Sequence, residues 1–251
     1  MNLIVSRPAE DSPAEIRPGR IADLAVRGLL FDLGDVLYDA TVWRRWLLQQ
    51  ISRLGLYTHY AAFYRVWDRD FLPAVHRRET TYTEALRKFL RAAGLSTGQI
   101  DELVVAARIR RRELEAGVRP LYGVPATLAA LKARGFRMGV LANSSRDSAT
   151  LQRRLVKMGI AAGFEQVIST RDSGHILPER EAYTAACQAL GTPSAETAFV
   201  GHDSRELAGA REAGLKTIAF NFDRGAEADA CLERFEELIG LPAPAAHSAA
   251  S

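Results

Sequence analysis

The first residue with an evident capacity for chemistry is an aspartate at the end of an apolar run. Residues 30–39 read LFDLGDVLYD, so Asp32 follows three apolar side chains and precedes a glycine-containing turn. A carboxylate there is exposed at a sheet edge while its backbone stays rigid. That placement suits nucleophilic attack on a phosphoryl group, giving an aspartyl-phosphate that water then hydrolyses. The same geometry serves equally well for an aspartate that only caps the turn. Further polar groups gather in GVLANSS (139–145), where Asn143, Ser144 and Ser145 could donate hydrogen bonds to an anion beside a helix start, or could simply cap that helix. A third group is FVGHDSREL (199–207), which brings His202, Asp203 and Glu206 close together.

Short apolar runs supply the strands that would position these residues: Gly28–Leu33, Phe136–Ala142, Gln166–Ser169, Thr197–Gly201 and Lys216–Phe220. Helical patterns lie between the later ones, at Val124–Ala133, Ser148–Met158, Glu179–Leu190 and Arg205–Ala213. Alternation at this spacing predicts an α/β fold with a doubly wound, Rossmann-like parallel sheet whose ligands gather at the carboxyl edge of the strands. Residues 40–118 break the alternation. Their helical patterns (Trp43–Leu54, Ala61–Phe71, Tyr82–Ala93, Gln99–Leu114) predict an inserted all-helical cap over the strand ends. The cap's aromatic residues read mainly as packing and secondarily as pocket lining, and Arg108–Arg112 (RIRRR) as a solvated helix face. The organisation expected is a flexible leader (1–24), a core (25–39 and 119–240), the cap (40–118) and a flexible tail (241–251).

These motifs, in this order, resemble the haloacid dehalogenase-like hydrolases. FDLGDVLYD corresponds to the first motif of that superfamily, GVLANSS to the second, HILPEREAY (175–183) to the third and FVGHDSRELAGAREAGLKTIAF (199–220) to the fourth. The resemblance implies Asp32 as nucleophile and Asn143 and Ser144 as substrate-binding residues. It also implies Mg²⁺ held by Asp32, the Gly34 carbonyl and Asp203, and a small phosphorylated metabolite as substrate. Four positions depart from the family pattern. Gly34 replaces a second aspartate, Ala142 a serine or threonine, Leu177 a lysine, and His202 an aspartate. Asp35 follows Gly34 but alternation along the chain turns it away, and Arg171, His175 or Arg180 would have to lend the missing positive charge. His202 is a poor Mg²⁺ ligand and reads as a hydrogen-bonded histidine at a strand end. Two alternatives to the phosphatase follow: a catalytically silent binding protein, and metal-free displacement on carbon by Asp32.

Bulk composition narrows the classes. The 251 residues are 47% hydrophobic and 25% charged, with formal net charge +3, enough for one sizeable core but too weakly basic to indicate nucleic acid. No apolar run is long enough to cross a bilayer. Two cysteines, Cys187 and Cys231, make no disulfide framework, so a reducing, cytoplasmic setting is expected. The aromatic cap could also offer an interface for a homo-oligomer.

Overall fold

A computed structural model describes residues 20–222 and 226–245. Most of the expected leader (1–19) and the end of the expected tail (246–251) lie outside the described residues. The adjoining residues pack: Leu24, Val26 and Leu241 are all buried in the core.

Six parallel strands form one sheet: β1 (Gly28–Phe31), β2 (Arg137–Ala142), β3 (Gln166–Ser169), β4 (Thr197–Gly201), β5 (Lys216–Phe220) and β6 (Ala230–Leu232). Their spatial order is β3-β2-β1-β4-β5-β6. The order reverses beside β1, so the crevice between β1 and β4 is the switch point at which such sheets place ligands. Leu29, Leu30 and Phe31 are fully buried, as a strand covered on both faces requires. One apolar layer forms around Leu29, Phe31, Val140 and Val200, and the opposite layer around Leu30, Leu141, Tyr183 and Phe199. The short edge strand β6 gave no expectation from the sequence; its three residues are too few for a periodic signal.

Between β1 and β2 the chain is helical: α1 (Thr41–Arg53), α2 (Tyr60–Val66), a π-helical turn (Trp67–Phe71), α3 (Leu72–His76), α4 (Tyr82–Ala92) and α5 (Thr97–Ala116). The expected helix Ala61–Phe71 thus divides. Pro73 lacks the N–H that would continue a regular α-helical ladder, and the turn before it widens. Helices α4 and α5 each begin with a capping box, Thr81 with Glu84 and Ser96 with Gln99. These helices enclose an apolar cluster of their own, in which the Phe89 ring contacts those of both Phe63 and Trp67. Most of the cap's aromatics therefore pack against one another. Tyr57 is the exception at 84% exposed.

The remaining helices cover the sheet: α6 (Val124–Ala133), α7 (Ser148–Lys157), the single turn α8 (Thr170–Ser173), α9 (Arg180–Leu190) and α10 (Ser204–Glu212). No helix among the described residues is long and apolar enough to cross a membrane.

Candidate active site

Asp32 is the first residue beyond β1, and its backbone N–H still bonds the Val200 carbonyl of β4 at 2.9 Å. Its carboxyl group is buried, with Oδ1 accepting from the Leu33 N–H at 2.7 Å. The register pairs Phe31 with Val200, so the residues just past β1 and β4 emerge side by side at the carboxyl edge. His202 follows Gly201 at the end of β4, and its Nδ1 stands 3.1 Å from Asp32 Oδ2, without the alignment of a well-formed hydrogen bond. Burial opposes a charge on this imidazole. The Asp32 carboxylate, with Glu206 and Asp35 beyond it, outweighs that opposition and His202 is pushed up to about 9.

Asp35 does not turn away as alternation would require. It adopts φ 57°, which reverses the chain, and its N–H bonds the Tyr38 carbonyl at 2.8 Å. Its Oδ1 accepts from the N–H groups of Ala40 and Thr41, tying the turn to the start of α1. Its Oδ2 lies 3.9 Å from His202 Nε2. Alternation fails here because a left-handed residue breaks the extended backbone on which it depends. Burial raises the Asp35 carboxyl above its ordinary value, against the pull of His202 and of the Ala40 N–H. His202 is therefore flanked by two carboxyl groups from the same turn.

Asn143 and Ser144 lie at the neighbouring edge, just past β2. Asn143 Nδ2 donates to the Leu177 carbonyl at 3.2 Å and to Glu206 Oε1 at 3.3 Å, and its Oδ1 accepts from Thr170 Oγ1 at 3.2 Å. The Ser144 N–H donates to Thr170 Oγ1 and its hydroxyl accepts from the Arg146 N–H. Helix α7 is capped instead by Asp147, which accepts from Thr150 N at 2.7 Å, so the Asn-Ser-Ser segment is not its cap. Glu206 reaches inward from the first turn of α10, and burial with the nearby Asp32 and Asp203 charges raises its carboxyl well above the usual range.

Asp203 takes a different place from the one expected. Its Oδ1 caps α10, accepting from Arg205 N at 2.8 Å and Glu206 N at 3.0 Å. Leu177 is buried among Leu30, Tyr183 and Leu207, so an apolar side chain stands at the third-motif position. None of the candidate cations around it compensates: Arg171 donates to the Ser145 carbonyl, His175 faces Glu179 at 4.0 Å, and Arg180 is exposed.

The donor chemistry bears directly on Mg²⁺, which takes oxygen ligands in near-octahedral geometry. Here the His202 imidazole, a poor Mg²⁺ ligand, stands 3.1 Å from Asp32 Oδ2 where the family pattern has an aspartate, and Asp203 gives its Oδ1 to a helix cap. No group of three or more His, Cys, Asp or Glu suited to a metal is found among the described residues. The set of Asp32, Gly34 and Asp203 does not fit Mg²⁺, and no step below passes through a metal.

Residues 26–214 match the family model of the haloacid dehalogenase-like hydrolases. The chain belongs to that family. It is 25% identical over 217 residues to the (S)-2-haloacid dehalogenase of Pseudomonas sp. (strain YL), covering 78% of this chain and 83% of that protein. It is 29% identical over 105 residues to the pyrophosphatase PpaX of Halalkalibacterium halodurans, covering 42% of this chain and only about half (48%) of the relative. Among solved structures, a subfamily IA hydrolase from Geobacter sulfurreducens superposes with TM-score 0.62 at 20% identity, over 88% of this chain and 98% of that one. That last likeness establishes the fold: a haloacid dehalogenase-type core with helices inserted after the first strand.

His202 and Asp35 are the residues that reading the sequence undervalued. The signal for His202 was its position, since a residue directly after the strand adjoining β1 must emerge beside Asp32.

Proposed function

We propose that this chain is a phosphatase of small phosphorylated metabolites working through a covalent intermediate on Asp32. The observation carrying this reading is the Asp32–His202 contact at the switch point of the sheet. A carboxylate approaching a phosphate monoester meets strong repulsion, since two unit anions about 4 Å apart repel by about 4 kcal/mol at an effective dielectric of 20. The imidazolium against Oδ2 sets one positive charge there and offsets much of that repulsion.

In the first step an Asp32 carboxylate oxygen bonds to phosphorus as the P–O bond to the alcohol breaks. The departing alkoxide takes a proton from Asp35, whose carboxyl is biased toward its protonated form and lies beside His202. Water then adds to phosphorus as the Asp35 carboxylate takes one of its protons, the bond between Asp32 and phosphorus breaks, and inorganic phosphate leaves with Asp32 and Asp35 restored. Asn143 and Ser144 lie at the adjoining edge and are assigned to hold the phosphoryl oxygens. A reducing, cytoplasmic setting accords with two free cysteines.

One observation favours a second reading. A donor set unsuited to Mg²⁺ accords equally with metal-free displacement on carbon, in which Asp32 forms an ester and halide departs. The two separate in one screen of sugar phosphates, nucleotides, p-nitrophenyl phosphate and 2-haloacids, with Asp32→Asn as control. Phosphate release abolished by Asp32→Asn supports the phosphatase, and halide release supports displacement on carbon. Turnover that survives Asp32→Asn would sink the nucleophile assignment, and no turnover on any substrate would leave a silent binding protein.

A further inference from the structure

The basic run on α5 does not lie wholly on a solvent face. Three of its four arginines, Arg108, Arg111 and Arg112, line a cavity of about 270 Å³. Their spacing of three and four residues puts them on one side of the helix, while Arg110 pairs with Glu113 at 3.0 Å. Arg146, three residues beyond Asn143 on the edge loop after β2, contributes a fourth guanidinium from the sheet side. The cavity therefore lies between the inserted helices and the loop that carries Asn143 and Ser144.

Its charge is far from balanced. Among the described residues Glu115 is the only acidic one in the lining, and it is already bonded by Arg146 and, from outside the cavity, by Arg154. Arg111 lies over the Tyr82 ring at 4.1 Å, which fixes its plane and leaves its N–H fork available. Arg108 and Arg112 form no ion pair among the described residues. Several guanidiniums converging on one hollow repel one another unless an anion joins them, and their paired N–H groups match carboxylate and phosphate oxygens. Glu115 in the cavity wall is bonded by Arg154, whose guanidinium also donates to the Tyr38 hydroxyl at 2.6 Å, and the Tyr38 carbonyl accepts from the Asp35 N–H in the turn that follows Asp32.

We infer that this arginine-lined cavity binds an anionic group, carboxylate or phosphate, at the end of the substrate remote from the bond that is cleaved. The inference rests on the hydrolase reading for the word substrate, but its test does not need turnover. Calorimetric titration of the Asp32→Asn protein uses inorganic pyrophosphate and tricarballylate as probes, beside a double Arg108→Gln, Arg112→Gln variant and a double lysine variant. Both arginines are exposed, so neither change should disturb folding. Both probes, or one, should bind the Asp32→Asn protein. The glutamine pair should weaken that binding about tenfold or more, and the lysine pair should retain most of it. A larger loss for pyrophosphate identifies a phosphate site, and a larger loss for tricarballylate a carboxylate site. Absence of binding by both probes, or affinity unchanged in the glutamine pair, would overturn the cavity's role. Turnover of p-nitrophenyl phosphate by the protein with Asp32 intact, alongside either result, would leave the phosphatase reading standing by itself.

Discussion

Exchanging His202 for glutamine keeps a hydrogen-bonding side chain beside Asp32 and removes the titratable charge. His202 is held at about 9 against an ordinary 6.5, a difference corresponding to about 3 kcal/mol of folded-state stabilisation. Its side chain is 27% exposed, so screening by water reduces this to roughly 1–2 kcal/mol. Because the folded value lies above the unfolded one, the stabilisation is fully present below about pH 6.5. It declines as pH rises and is gone above about pH 9. Urea unfolding of both proteins between about pH 6 and 10 should show the wild type more stable by roughly 1–2 kcal/mol at the acid end, or about 3–6 °C in Tm, with the difference vanishing at the alkaline end. A difference that stays constant over this range, or grows with pH, would refute a charged imidazole against Asp32.

Other consequences can be measured with the same few methods. Wild-type protein should show no Mg²⁺-dependent thermal shift and no loss of activity in EDTA, whereas His202→Asp, which restores an oxygen ligand beside Asp32, should acquire a Mg²⁺-dependent shift. Glu115 is held down at about 2 because Arg154 and Arg146 outweigh its burial. Glu115→Ala should therefore cost about 1–3 kcal/mol near neutral pH in urea unfolding, and the loss should shrink as acid protonates Glu115 in the wild type, from about pH 4.5 down to about pH 2. Gly209→Ala would set a methyl group 2.5 Å from Pro178 Cβ and 2.6 Å from its carbonyl oxygen, and should destabilise by about 1–3 kcal/mol. Leu177→Lys, which restores the family's residue, should lower stability without raising activity, since it puts an ammonium into an apolar cluster.

How far the sequence could be read depended on how local each signal was. The strands carrying Asp32 and Asn143 announce themselves as apolar runs, and strand–helix alternation is enough to predict a parallel sheet with a switch point beside β1. The positions of Asp35 and Asp203 were harder to read because single backbone features decide them. A left-handed φ swings Asp35 back toward His202, and helix capping engages Oδ1 of Asp203. The Arg108–Arg112 run looks like any solvated helix face until α5 is laid against the loop bearing Arg146, a tertiary contact without a local signature. The pairing of Asp32 with His202 lies between these cases, since strand order predicts their closeness while only the fold supplies the 3.1 Å contact.

The most direct test of Asp32 as a covalent nucleophile is rapid-quench mass spectrometry of the peptide containing it, taken during turnover of p-nitrophenyl phosphate. The peptide should carry the mass of one phosphoryl group at Asp32 during turnover and lose it once substrate is exhausted. Steady phosphate release with Asp32 unmodified throughout would contradict the account.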